Sequence, residues 1–177
     1  ARTLLEQAIA AGVVIDGSRA LGDLYRSAEA PFRDPVKAAE AYQRAIDLGD
    51  AWSMLALGGM VGRGDGIAQD FKRAKALLDG AVAAGLVKEG SRALGDLYTV
   101  PGTRRDPIKA AKAYQRAVDL GDAGAMIALA QIHIRGENVP QDFDKARSLM
   151  EQAIAAGAVR DGARALGDFY RTPDAPY

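Results

Sequence analysis

The apolar positions of the chain recur with two superimposed spacings. Within short segments, alanine and larger apolar residues return at offsets of three, four and seven, which predicts amphipathic helices rather than strands. Over a longer range the whole pattern returns about every 36 residues, four times in full and with half a unit at each end. The hydrophobic pattern therefore predicts an all-α repeat protein.

Each unit closes on a glycine, and the same residue types precede that glycine from unit to unit. A glycine in the left-handed conformation is a common way to end a helix. The closing glycines are Gly12, Gly49, Gly85, Gly121 and Gly157. An aspartate stands fifteen residues before four of them, where it predicts the N-cap of the same helix. These aspartates are Asp34, Asp70, Asp106 and Asp142.

The first half of each unit carries a second anchor, Ala-Leu-Gly or a close variant, ahead of a loop rich in glycine and charge. Each unit is thus predicted to be a helix-turn-helix hairpin. Complete repeats are predicted at 18–49, 54–85, 91–121 and 125–157, with partial repeats at 1–12 and 163–177. We expect a single repeat domain over 1–177, cut from a longer protein, whose uncapped ends can associate end to end.

The repeat has a finer period of two units. The spacing from a closing glycine to the next Ala-Leu-Gly anchor alternates between a longer and a shorter connection, as in 13–19 and 50–55. The full period is therefore about 72 residues, the pattern that duplication of a two-repeat block would leave.

Composition excludes several classes of protein. Lysine plus arginine equals aspartate plus glutamate at 23 each, and this lack of a basic surplus disfavours nucleic-acid binding. No window approaches the length of an apolar membrane span, and no signal-peptide pattern opens the chain. The absence of cysteine rules out disulfides and thiol chemistry.

The unit Leu-Gly-x-x-Tyr, a glycine-containing turn, and Asp-x-x-Lys-Ala-x-x-Tyr-x-x-Ala-x-x-x-Gly resembles the Sel1-like repeat, a relative of the tetratricopeptide repeat. Repeats 54–85 and 125–157 match best, whereas the turns at 26–33 and 99–105 lack the usual glycine pair. The resemblance implies a right-handed superhelical α-solenoid that serves as a non-enzymatic adaptor. It also implies a protein or peptide partner in a groove, and it favours a periplasmic or extracytoplasmic bacterial setting, such as exopolysaccharide secretion or the envelope.

Residues with catalytic potential fall at repeat positions. His133 is the only histidine, and it stands where other units have tyrosine, so we predict a packing role. Asp23, Asp96 and Asp168 recur every second unit, which places successive carboxylates roughly 20 Å apart, beyond the about 5–9.5 Å that paired-carboxylate hydrolysis needs. We predict no catalytic residue, no cofactor and no metal site.

The same aspartates follow an arginine by four residues, as Asp23 follows Arg19 and Asp96 follows Arg92. One interpretation is an ion pair along a helix face. The other is a charge ladder that faces a partner.

A few residues break the repeat and are therefore candidates for partner contact. Trp52 has Gly124 as its counterpart one doublet later, so it is either a contact anchor or a cover for the adjacent helix end. The two irregular loops are predicted to contact and select the partner, because their sequences vary between units whereas the helices keep the repeat pattern. Their candidate residues are Phe32, Arg33, Arg104 and Arg105.

Two functions remain open at this point. The leading hypothesis is a scaffold that binds a protein or peptide. The alternative is a polysaccharide-binding or polysaccharide-guiding module attached to an exopolysaccharide enzyme or secretion complex, for which Trp52 would be a stacking residue.

Overall fold

The computed structural model describes residues 2–10, 12–27, 29, 33–101 and 104–171. These residues form ten α-helices and no strand, which confirms the all-α prediction. The helices are α1 (Arg2–Ala10), α2 (Val14–Ser27), α3 (Pro35–Asp47), α4 (Ala51–Arg63), α5 (Phe71–Ala83), α6 (Val87–Thr99), α7 (Pro107–Asp119), α8 (Ala123–Arg135), α9 (Phe143–Ala155) and α10 (Val159–Tyr170).

The helices group into two compact units, Ala1–Leu86 with α1 to α5 and Val87–Tyr177 with α6 to α10. In the first unit α2 packs on α3 and α4 on α5, while α3 also contacts α4. The second unit repeats this arrangement with α6 on α7, α8 on α9, and α7 against α8. The predicted hairpins are therefore present, and the assignment of 1–177 to one repeat domain stays a prediction.

The four predicted N-cap aspartates start α3, α5, α7 and α9. In each case a carboxylate oxygen accepts the backbone N–H three residues later, at 2.8–3.0 Å. The N–H of the same aspartate donates to a carbonyl of the preceding helix at 2.9–3.1 Å, and those carbonyls belong to Tyr25, Val61, Tyr98 and His133. One residue type thus begins the second helix and fixes it to the first.

The closing glycines have the conformation that the sequence predicts. Their φ values lie between 77° and 100°, in the left-handed region that a residue with a Cβ rarely adopts. Each hairpin therefore ends in a defined turn, and the next one can begin two residues later.

Small and large side chains face each other across each hairpin. Glycine at three of the Ala-Leu-Gly anchors leaves room for a large buried residue of the second helix, so that the two helices approach closely. The pairs are Gly22 with Tyr42, Gly58 with Leu78, and Gly95 with Tyr114. The second helices of the hairpins also carry fully buried alanines, at Ala38, Ala45, Ala74, Ala81, Ala110, Ala117, Ala146 and Ala153.

Two of the N-caps should make folding stability depend on pH. The pKa of Asp34 is lowered by the backbone N–H of Lys37 and by its ammonium group at 2.9 Å. The pKa of Asp106 is lowered in the same way by the ammonium of Lys109 at 2.8 Å and by its N–H. A depressed native pKa stabilises the fold above the unfolded value of about 4, and this contribution is lost as the pH falls through the native value.

We therefore expect the double variant Asp34→Asn, Asp106→Asn to melt at a lower temperature than the parent at neutral pH. The difference should close as the pH falls below the unfolded value of about 4 and through the lowered native pKa of the two aspartates, where the parent loses its ionised carboxylates too. Thermal melts followed by circular dichroism across this range test the prediction. A gap that stays constant with pH would contradict it.

Candidate protein-binding surface

Trp52 lies in the first turn of α4, and its side chain is 50% exposed. Asp50, two residues before Trp52, is the N-cap of this helix and is only 7% exposed. Its Oδ2 accepts both the backbone N–H of Ser53 at 3.0 Å and the hydroxyl of Ser53 at 2.6 Å. The indole is therefore carried on a turn that buried hydrogen bonds fix in place.

Arg19 of α2 completes this cluster from the neighbouring hairpin. Its guanidinium donates to Oδ1 of Asp50 at 2.8 Å and to Oδ1 of Asp16 at 2.7 Å. The predicted ion pair between Arg19 and Asp23 is therefore wrong. The buried Asp50 carboxylate needs a counter-charge more than the exposed Asp23 does, and Arg19 supplies it.

Asp23 instead serves a buried tyrosine. The Tyr42 hydroxyl donates to Oδ1 of Asp23 at 2.6 Å, and Tyr114 donates to Asp96 in the same way at 2.7 Å. Burial, reinforced by the neighbouring carboxylate, raises the pKa of both tyrosines. These two carboxylates anchor the ring that fills each hairpin, and the charge ladder that faces a partner stays a prediction.

The second unit contains the same ion pair without the indole. Arg92 contacts Oδ2 of Asp122 at 3.2 Å, so the predicted pair of Arg92 with Asp96 is also wrong. Gly124 occupies the position equivalent to Trp52, and a Cβ there would lie 3.4 Å from Cδ of Arg92. The packing of the hairpin therefore does not require a large side chain at this position.

The loop candidates have different surroundings. Phe32 lies outside the described residues, and Arg33 is exposed. Arg104 is exposed as well, whereas Arg105 forms an ion pair with Glu137 of the following turn. Arg105 therefore has a structural partner within its own unit.

His133 is 8% exposed, and its Nδ1 lies 3.3 Å from the carbonyl oxygen of Pro140. This confirms the predicted packing role. Among the described residues no cluster of three or more histidine, cysteine, aspartate or glutamate side chains could hold a metal ion. None of the helices described above has the length and apolar character that a membrane crossing requires.

Asp50 and Asp122, the carboxylates that hold Arg19 and Arg92, are not among the candidates that the sequence predicts. Each directly follows a closing glycine, at Gly49-Asp50 and Gly121-Asp122. An aspartate after a left-handed glycine and ahead of an apolar helical stripe is an N-cap pattern, so the sequence did contain the signal.

The family model described as Sel1 repeat matches this chain four times, at residues 16–50, 53–86, 90–122 and 123–157. The chain belongs to the Sel1 repeat family. Sel1 repeats generally mediate protein–protein interactions, and the family is generally non-enzymatic. A Sel1 chain is therefore expected to have protein partners.

Solved structures show the same fold. A Sel1 repeat protein from Oxalobacter formigenes has a TM-score of 0.79 at 20% identity, over 99% of this chain and 69% of that one. A protective antigen of uropathogenic Escherichia coli with an SLR fold has a TM-score of 0.69 at 20% identity, over 96% of this chain and 40% of that one. An immunity protein from Pseudomonas aeruginosa has a TM-score of 0.58 at 21% identity, over 96% and 71%.

One curated relative is a plant protein. The chain is 39% identical over 62 residues to HRD3B of Arabidopsis thaliana, an ERAD-associated E3 ubiquitin-protein ligase component. The match covers 34% of this Sel1 chain and 10% of HRD3B, so the chain spans a small part of that relative's length.

Proposed function

We propose that this Sel1 chain is a non-enzymatic scaffold and that Trp52 anchors one of its protein partners. The observation that carries the proposal is the half-exposed indole on a turn fixed by Asp50 and Arg19. Large aromatic residues dominate the energetics of protein interfaces, above all where the side chain is already held before binding.

The surroundings of Trp52 support this role over that of a packing residue. The residues of α4 that enter the core are others, among them Ser53 and Leu57, both 0% exposed. At the repeat position equivalent to Trp52, the other units have Asp16, Glu89, Gly124 or Asp161. The indole thus contributes surface that the fold itself does not need.

A polysaccharide-binding module has less support. Sugar sites usually present several exposed aromatic rings along one surface, whereas the exposed aromatic residues in the described part of the chain are Trp52 and Tyr170, in different units. An exopolysaccharide or envelope setting rests on the family resemblance and stays a prediction.

The test is affinity capture from the source organism with the parent chain and with Trp52→Ala. We expect one specific protein partner to be lost or weakened at least about tenfold in the variant. Leu120→Ala is the matched control, because Leu120 is 49% exposed and lies at the end of a helix in the other unit. Retention of every partner by the tryptophan variant, with its helical content unchanged, would refute the anchor.

A further inference from the structure

Helix α7 carries three basic side chains on one face. Lys109, Lys112 and Arg116 follow one another at offsets of three and four, and all three are exposed. At 1.5 Å per residue they span about 10 Å along the helix. Like charges at these offsets repel one another, so the stripe does not serve the stability of the helix.

Two of the three charges have no ion-pair partner among the residues that the structure describes. Lys109 pairs with Asp106 at 2.8 Å, but in the described part of the chain neither Lys112 nor Arg116 has an ion-pair partner. Asp119, three residues after Arg116, accepts a hydrogen bond from Gln115 at 2.9 Å.

The first unit provides an internal comparison. Its helix α3 has the same sequence pattern, with Lys37, Glu40 and Arg44, so that a carboxylate stands where α7 has Lys112. In that unit Glu40 and Arg44, but not Lys37, line an open cleft of about 540 Å³ beside the turn before α5. The apolar part of the lining comes from Val36, Ala39, Ile67 and Ala68.

The equivalent positions in the second unit combine the same apolar residue types with more positive charge. Ile108, the counterpart of Val36, is 60% exposed, and Val139 replaces Ile67 in the turn. Lys145 replaces Arg73 at the start of α9. One exposed apolar side chain, Ile108, therefore directly precedes the stripe of Lys109, Lys112 and Arg116 in the sequence.

We propose that the α7 face binds an acidic helical segment of a protein partner. A helix with carboxylates at offsets of three and four has the same spacing as Lys109, Lys112 and Arg116, and an apolar residue beside them would contact Ile108. A protein segment fits better than a nucleic acid because the chain has no net charge and the stripe is short and flanked by an apolar side chain. This surface does not include Trp52 and does not depend on the function proposed above.

The test uses a synthetic helical peptide with three glutamates at the matching offsets and one leucine beside them. Calorimetric titration of the full chain should give one site with a Kd of about 10–100 µM at low salt, weakening as salt is added. A peptide with glutamine in place of glutamate should not bind. Lys112→Glu, which installs the residue found at the equivalent position of α3, should weaken binding about tenfold.

The reciprocal variant is the matched control. Glu40→Lys gives α3 the pattern of α7 and should raise the stoichiometry from one peptide to two, whereas Trp52→Ala should leave the peptide affinity unchanged. A Kd weaker than about 1 mM for the parent chain would overturn the proposal, as would equal affinity in Lys112→Glu. Tighter binding of single-stranded DNA or anionic vesicles than of the peptide would also overturn it.

Discussion

Replacing Gly95 with alanine is expected to lower the free energy of unfolding by about 2 kcal/mol, although alanine is the better helix former. A Cβ at this position would lie 2.5 Å from the ring of Tyr114, closer than such atoms approach in proteins. The ring is 2% exposed, and its hydroxyl is bound to Asp96 at 2.7 Å. It can move aside only by giving up that hydrogen bond or by pushing helices α6 and α7 apart.

Gly167 supplies the control for this prediction. It occupies the same repeat position in α10, but a Cβ there would meet nothing within 4 Å. Gly167→Ala should therefore stabilise the protein by about 0.5–1 kcal/mol through helix propensity alone. Urea denaturation of both variants compares the two effects, and a shift of the same sign at both glycines would show that the tyrosine ring does not set the requirement.

The ends of the helices could be predicted because their causes are local. An aspartate caps a helix by accepting an N–H three residues later, and a glycine ends one by adopting a positive φ, so Asp106 and Gly121 mark α7 in the sequence itself. The repetition of these signals in every unit then fixed the hairpin.

Side-chain partners across hairpins could not be predicted in the same way. The sequence places Asp23 four residues after Arg19, and nothing in that spacing indicates that Asp50, from the next hairpin, becomes the stronger partner. The choice depends on burial, because Asp50 is enclosed and Asp23 is not. Burial depends on how the helices pack, and it cannot be deduced from the sequence of one helix.

The candidate binding residues show the same distinction between what the local sequence predicts and what only the packing reveals. Trp52 could be singled out because it breaks the repeat, but its half-exposed position on a fixed turn required the structure. Lys112 and Arg116 could not be singled out in the sequence because they occupy ordinary repeat positions. Only the structure shows that neither has an ion-pair partner among the described residues.

Replacing Asp50 with alanine is expected to cost about 3 kcal/mol of stability, because one carboxylate performs two functions. It caps α4 through Ser53, and it neutralises Arg19 in a site where the carboxylate is 7% exposed. Asp70→Ala removes a cap of the same geometry, at 2.9 Å from the N–H of Arg73, but from an exposed aspartate, so it should cost about 1 kcal/mol.

The difference between these two variants measures the ion pair and its burial, and a double-mutant cycle with Arg19→Met isolates it. We expect a coupling energy of about 1–2 kcal/mol between Arg19 and Asp50, since the two side chains are in direct contact. If Asp50→Ala costs no more than Asp70→Ala, the guanidinium contributes nothing to the fold and Asp16 alone suffices to hold it. If the coupling is present, Asp50→Ala should also weaken partner binding, because the turn that carries Trp52 loses the contacts that fix it.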